Sequence, residues 1–237
     1  MTNSEQTSGD RAHGGSTLNA MSVSDAVDRR SSIRAFLDTP VPDPVIAELL
    51  NKAARAPSGG NVQPWVVYVV NGDAMARFRT VVADAPLDPP EYQVYPDNLW
   101  EPHRTARFEL GEQMYATLGI PRDDRKARLA HLARNYTFFN APASIFCFVD
   151  RRMGPPQWSD LGMFLQTFML LAAEAGLDTC PQEAWASRGR TVAGFVGAPD
   201  ELLLFSGVAI GHRDPEAPVN GLRSDRLPLD QWATFVS

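Results

Sequence analysis

Three arginines and two serines stand together within six residues near the start of the sequence, in the stretch Arg29–Arg34. Guanidinium groups fork around phosphate oxygens, and serine hydroxyls donate further hydrogen bonds to the same oxygens. Arg30, Ser31, Ser32 and Arg34 therefore form a candidate phosphate-binding cluster. A basic helix end exposed to water has the same residue types, so the cluster alone does not establish a ligand.

Three further segments combine small or polar residues that suit ligand contact. The loop after Ala56 contains two glycines whose backbone N–H groups can approach a ligand closely. The segment beginning at Cys180 follows an apolar helix, and the segment after Ile210 is followed by late arginines that could close on a phosphate. Together these segments add ten candidate contacts: Pro57, Ser58, Gly59, Asn61, Pro181, Gln182, Glu183, Gly211, Arg223 and Arg226.

Familiar catalytic motifs are missing from the sequence. It contains no glycine-rich dinucleotide fingerprint, Walker loop, zinc-protease helix motif or serine nucleophile elbow, and no metal-spaced cysteines and histidines. The four histidines are scattered and are expected at surface or capping positions, and Cys180 is expected to be a structural thiol. An enzyme without its own nucleophile, base or metal should take its chemistry from an organic cofactor.

Strands and helices alternate along the chain. Three apolar runs predict buried strands, namely Trp65–Val70, Ser144–Val149 and Leu202–Ile210, with a short extended piece from Thr179. Ser22 or Ser24 is predicted to cap the first helix and Asp43 to cap the second. Apolar spacing and capping signals predict six helices: Asp25–Arg30, Asp43–Arg55, Asp73–Val82, Leu99–Leu118, Asp124–Tyr136 and Asp160–Ala175. The pattern favours one α+β domain, a central mixed sheet wrapped by helices.

Domain organisation follows from a change in composition. Residues 1–21 are rich in Ser, Thr, Gly and Asn and predict a flexible extension. Residues 22–237 then form the folded domain.

Composition limits the partners and the compartment. The net charge is -6, which disfavours nucleic acid and anionic membranes as partners. The two cysteines form no disulfide framework, and no signal peptide or membrane-spanning run is evident, so we expect a cytoplasmic protein.

Taken in order, four segments resemble the FMN-dependent nitroreductase family. They are Arg30–Phe36, Pro57–Trp65, Gly207–Gly211 and Arg223–Arg226. The family pattern runs Arg-x-Ser-x-(Lys/Arg)-x-Phe, then Pro-Ser-x-x-Asn-x-Gln-Pro-Trp, a glycine-containing strand end and a late basic pair before Leu-Pro. The second motif is specific and the others are individually loose. The resemblance covers nearly the whole chain apart from the extension.

The resemblance implies roles for the first and last segments. Arg30, Ser32 and Arg226 are expected to bind the FMN phosphate, with Ser31 beside the ribityl chain. Arg34 is expected at the pyrimidine edge, where a cation stabilises the reduced flavin. Some members carry a second cation just before the final arginine; here Ser224 and Asp225 stand there, and Arg223 is a substitute.

The resemblance also implies a domain-intertwined homodimer with two FMN sites at the subunit interface. The segment containing Pro57, Ser58, Gly59 and Asn61 is expected to reach FMN in the other subunit. The segment Pro181–Glu183 is expected over the flavin N5, where a backbone amide rather than the Glu183 side chain tunes hydride chemistry.

The activity implied is an FMN-dependent NAD(P)H oxidoreductase. NADPH or NADH and an electron-poor aromatic acceptor, a nitroaromatic or a quinone, use one flavin face in turn, which gives ping-pong kinetics. No catalytic side chain is required, since solvent supplies protons. Alternatives stay open: a flavin-fragmenting or dehalogenating relative on the same fold, an FMN storage or sensor protein without turnover, and a domain without cofactor.

Overall fold

The computed structural model describes residues 21–237, and the predicted extension lies outside the described residues except for Met21. Seven α-helices surround a single sheet in this part of the chain. They are α1 (Val23–Arg29), α2 (Asp43–Ala53), α3 (Gly72–Asp84), α4 (His103–Thr117), α5 (Arg125–Ala133), α6 (Pro155–Glu174) and α7 (Gly189–Val196).

Four strands form the sheet, in the spatial order β1-β2-β4-β3. They are β1 (Val66–Asn71), β2 (Ala143–Asp150), β3 (Asp178–Gln182) and β4 (Leu202–Gly211). All three strand pairs are antiparallel, so the prediction of a mixed sheet was wrong. Helices between strands do not fix strand direction, because connections this long can return the chain either way.

The strand β1 lies at one edge of the sheet and is only partly buried. Val66 and Val69 are 38% and 42% exposed, although the apolar run had predicted burial on both faces. β1 pairs with β2 alone. An apolar run therefore marks the strand correctly but does not tell an edge strand from a central one.

Side chains of the central strand β2 alternate between two apolar layers. Ile145 and Cys147 face a layer that includes α2 and α6. Phe146 and Phe148 face an aromatic layer on the other side of the sheet. Trp185 is fully buried in that second layer, with its ring centroid 5.1 Å from that of Phe146. The sheet is thus covered on both faces, as the prediction of a helix-wrapped sheet requires.

Helix starts agree with the capping signals to within a few residues. Ser22 caps α1, and its Oγ accepts a hydrogen bond from the Asp25 N–H at 3.1 Å. Asp43 is the first residue of α2 rather than its cap, because Pro42 holds the cap position in extended backbone. The helix predicted from Leu99 begins later, at His103. Within residues 21–237, no helix combines the length and apolar character that crossing a bilayer requires.

Candidate functional site

A cavity of about 600 Å³ lies where the segment after α1 meets the C-terminal segment. Three helices, α1, α4 and α6, supply the rest of its wall. The lining residues are Val27, Asp28, Arg30, Ser31, Ser32, Arg34, Leu110, Gln166, Leu222, Arg223, Ser224 and Arg226. Six of the predicted contacts, from opposite ends of the described chain, thus line one cavity, which we call the arginine cavity.

The backbone of Ser32 and Ile33 places the first cluster at the cavity. Ser32 forms a parallel bridge with Thr179, and the Ile33 N–H donates to the Thr179 carbonyl at 3.0 Å. The Ile33 side chain is fully buried in the aromatic layer. Because side chains alternate along an extended segment, anchoring Ile33 in the core directs its neighbours Ser32 and Arg34 to the opposite side.

A second anchor fixes the turn that follows. The Oδ1 of Asn220 accepts hydrogen bonds from the N–H groups of Arg34 and Ala35, at 2.9 and 3.2 Å. Its amide nitrogen donates to the Ala35 carbonyl at 2.8 Å. Asn220 therefore ties the first cluster to the segment that leads into Arg223 and Arg226.

Three arginines of the cavity wall have no ion-pair partner in the described part of the chain, although Asp28 also lines the cavity. Among residues 21–237, Arg30, Arg223 and Arg226 form no ion pair with a carboxylate. Arg223 donates to the backbone carbonyl of Asp28, and Arg226 donates to Ser224 Oγ at 2.7 Å. Partial burial, and then the charges of Arg226 and Arg223, lower the pKa of Arg30. An anion bound here would relieve this repulsion, so the cavity suits a phosphate group.

Two neighbouring arginines have a different partner. Arg213 donates to Asp178 Oδ1 at 2.6 Å, and Arg29 lies 3.7 Å from the same oxygen. Asp178 is 7% exposed. These two cations share the one carboxylate of Asp178 and through it hold β3 to the segments on either side, which is a structural role.

The loop segment 57–61 does not line the arginine cavity of its own chain. The Gly59 N–H lies 3.3 Å from both carboxylate oxygens of Asp160 on α6, and Ser58 Oγ accepts from the Gln63 N–H at 3.0 Å. Gly60 and Asn61 have φ of 58° and 57°, the left-handed region that favours glycine. Pro57 and Asn61 are exposed at this loop.

Pro181, Gln182 and Glu183 lie beside the cavity without lining it. Thr179, two residues earlier on β3, carries the bridge to Ser32. Gln182 is buried and donates to the Asn135 carbonyl at 2.8 Å, so its amide supports the strand end. Pro181 is exposed, and desolvation raises the pKa of Glu183.

Gly211 is a predicted contact that is buried in the structure. It ends β4, and a Cβ there would come within 2.8 Å of Pro142 Cδ and 3.1 Å of Phe36 Cδ1. The structure therefore places Gly211 at a close packing contact rather than in the cavity wall.

Several lining residues were not among the sequence predictions. Leu110 comes from α4, Gln166 from α6, and Leu222 and Ser224 flank Arg223. Gln166 carries a signal that could have been used, because it is a polar residue inside the long apolar run of α6. The others have no distinctive residue type or spacing.

Cys180 and His131 are buried and do not line the cavity. Burial raises the pKa of Cys180 to about 11, with Arg34 and Arg30 opposing the shift, so the thiol stays protonated. His131 is 6% exposed, against the expectation of a surface position. Its ring packs between Tyr115 and Phe139, and burial followed by the charges of Arg134 and Arg34 lowers its pKa.

Comparison with known proteins is consistent with this architecture. The model of the Nitroreductase family matches residues 27–212. Nitrobenzene nitroreductase of Ectopseudomonas oleovorans is 34% identical over 219 residues, which cover 90% of this chain and 96% of that protein.

Two solved structures similar to this chain are also nitroreductases. The FMN and NADPH-dependent nitroreductase NfnB from Sphigopyxis sp. strain HMH superposes with a TM-score of 0.88 at 46% identity, covering 91% of this chain and 99% of that one. The FMN-dependent nitroreductase NfnB from Mycobacterium smegmatis, in complex with NADPH, gives 0.84 at 27% identity, covering 91% and 100%. The fold and the sequence thus confirm the predicted resemblance, and the chain belongs to the nitroreductase family.

Proposed function

We propose that this protein is an FMN-dependent NAD(P)H oxidoreductase that reduces nitroaromatics or quinones. The observation that carries the proposal is the arginine cavity, which is lined by two serines, Ser31 and Ser32, and by four arginines that form no ion pair within residues 21–237. FMN, when bound, supplies a ring that accepts a hydride from NAD(P)H and passes electrons to the acceptor.

The cavity residues fit the phosphate end of FMN. Arg30, Arg223 and Arg226 provide the guanidinium forks, and the hydroxyls of Ser31 and Ser32 provide neutral donors. Arg223 occupies the cavity wall next to Ser224, which supports it as the substitute for the second family cation. A dianionic phosphate would offset the repulsion among these cations.

Two other lining residues, Arg34 and Gln166, fit the pyrimidine edge of the flavin. Arg34 brings a cation that stabilises negative charge on a reduced ring. Gln166, from the middle of α6, brings an amide that can both donate and accept, as the carbonyl and N–H groups of a pyrimidine require. We assign Gln166 as the pyrimidine partner from the middle helices.

A homodimer completes the proposed site. The loop segment 57–61 does not line the arginine cavity of its own chain, which supports a role at the cavity of a second subunit. Trp232 and Phe235 near the C-terminus are 67% and 86% exposed. Apolar surface of this extent is typical of a chain that pairs with a second copy.

We also infer that the enzyme works in the cytoplasm. Cys147 and Cys180 are free and buried, and a reducing compartment keeps such thiols unpaired. NADPH and NADH are available as reductants there.

An anaerobic absorption experiment tests the proposed activity. The purified protein should be yellow, should bleach with NADPH or NADH, and should regain its colour when a nitroaromatic or quinone is added. A yellow protein that neither dinucleotide bleaches would reject the reductase in favour of storage or sensing. A product derived from the flavin ring would indicate a flavin-fragmenting relative, and a colourless protein that takes up no FMN would reject the cofactor.

A further inference from the structure

A second groove, of about 760 Å³, follows the helix α4. One wall is the segment 96–100 and the other is α4 itself. Its aromatic and basic lining residues are Trp100, Arg104, Arg107, Phe108 and Tyr115. We call this feature the α4 groove.

One cation in the α4 groove is fixed in place without being neutralised. The Arg107 guanidinium lies 4.2 Å from the centroid of the Tyr95 ring, and it makes no ion pair within the described part of the chain. Arg104, by contrast, is held by Glu101 at 2.6 Å. Stacking on an aromatic face orients a guanidinium while leaving its N–H donors free in the ring plane.

The acidic residues of the α4 groove are mostly engaged. Glu112 is paired with Arg128 at 2.5 Å. Asp97 accepts from the Gln93 amide at 3.3 Å and has no cationic partner in residues 21–237. The groove therefore presents one free guanidinium and one carboxylate that can accept from an amino group or a hydroxyl.

Exposed aromatic rings border the same groove. Trp100 and Phe108 are 60% and 51% exposed. Exposed rings of this kind provide stacking surfaces for a planar base, with a contribution from nearby arginine.

The α4 groove also adjoins the arginine cavity. Leu110 lines the cavity, whereas Arg107 and Met114 line the groove. These residues stand three and four positions from Leu110, so they are its neighbours on the helix surface. A helix with its side chains is only about 10–12 Å across, so a dinucleotide extending from the cavity can reach the groove.

We propose that the α4 groove binds the adenosine 2′-phosphate end of NADPH. Arg107 binds the 2′-phosphate, Trp100 and Phe108 hold the adenine ring, and Asp97 accepts from the adenine amino group. NADH lacks the phosphate, so Arg107 favours NADPH. This inference rests on the proposed function, because it assumes that NAD(P)H delivers its hydride at the arginine cavity.

Calorimetric binding of adenosine 2′,5′-bisphosphate to the FMN-loaded protein tests the groove without turnover. Arg107→Ala should weaken this binding roughly tenfold or more, the effect of one lost charge-assisted contact, and should leave 5′-AMP binding unchanged. Arg107→Lys should restore part of the loss. Arg77→Ala removes an equally exposed arginine from α3 and should bind like the parent protein.

Steady-state kinetics then test the role of the α4 groove separately from the proposed reductase activity. Arg107→Ala should raise KM for NADPH and leave KM for NADH unchanged. If Arg107→Ala binds the bisphosphate as tightly as the parent protein does, the inference is overturned. It is also overturned if the substitution alters the KM for an anionic nitroaromatic and leaves bisphosphate binding unchanged. Bisphosphate binding through Arg107 in a protein that NADPH cannot reduce would support the groove while rejecting the proposed activity.

Discussion

Arg30 and Arg226 lie at opposite ends of the described chain and line the same cavity, where partial burial and then the charge of Arg226 lower the pKa of Arg30. Folding thus brings like charges together with no carboxylate partner in residues 21–237. Such an arrangement is unfavourable unless an anion binds, so it is the clearest physical indication of a ligand in this molecule.

Gly207 should be intolerant of any side chain. A Cβ at this position of β4 would come within 2.5 Å of Trp185 Cδ1 and 3.2 Å of Phe138 Cε1, both in fully buried rings. Gly207→Ala should lower the free energy of unfolding by about 1–3 kcal/mol, the usual cost of overpacking.

Gly194→Ala is the matched control for that change. Gly194 lies in α7, where an added Cβ meets nothing within 4 Å, so alanine should raise stability by roughly 0.5–1 kcal/mol. Urea denaturation of both variants checks the pair. If the two substitutions change the free energy of unfolding equally, the close contact with Trp185 does not restrict the side chain at position 207.

Alkaline pH should destabilise the protein through its thiols. Burial raises the pKa of Cys147 to about 12 and of Cys180 to about 11, from an ordinary value of 9.0. Above pH 9 the unfolded chain releases these thiol protons, whereas the folded chain retains them. The free energy of unfolding is therefore highest at or below pH 8, and it falls as pH rises from the thiol pKa of the unfolded chain to that of the folded chain.

Removing both thiols should flatten this dependence. The free energy of unfolding of the parent protein should fall between pH 8 and pH 11 by on the order of 5 kcal/mol more than that of the Cys147→Ala/Cys180→Ala double variant. Urea titrations at the two pH values measure this difference. Parallel pH dependences would show that the thiols ionise equally in both states.

The C-terminal aromatic residues should control assembly. Trp232 and Phe235 are largely exposed in the single chain, and a homodimer would bury them. Trp232→Ala/Phe235→Ala should raise the dimer dissociation constant by roughly a hundredfold or more, since buried aromatic anchors dominate interfaces. Sedimentation velocity over a dilution series measures it.

An exposed apolar residue on another surface controls for general loss of hydrophobicity. Val81→Ala on α3 removes a side chain that is 44% exposed and should leave the dissociation constant unchanged. A parent protein that sediments as a monomer at all concentrations would reject the homodimer.

Local features of the fold could be predicted from the sequence because they depend on neighbouring residues. The Ser22 cap, the central strand β2 and the apolar helix α6 all appear near their predicted positions. Strand direction and the exposure of β1 could not be predicted, because both depend on which strands are adjacent in space.

The candidate site, like the fold, could be predicted from the sequence only in part. Residue type alone singled out Arg30, Ser32 and Arg226, since few other groups suit a phosphate. Type could not show that Arg213 is neutralised by Asp178, or that Gly211 serves packing, because both facts require distances between distant segments. Leu110 lines the cavity only through the placement of α4, for which its type gives no signal.

The affinity for FMN of the Arg30→Ala variant tests the central claim most directly. Losing one charge-assisted phosphate contact should weaken binding by about 1.5–3 kcal/mol, roughly ten- to a hundredfold, in a flavin-fluorescence titration of the apoprotein. Arg77→Ala, which removes an exposed arginine from α3, should retain the parent affinity. If Arg30→Ala binds FMN as tightly as the parent protein does, the arginine cavity is not the phosphate site.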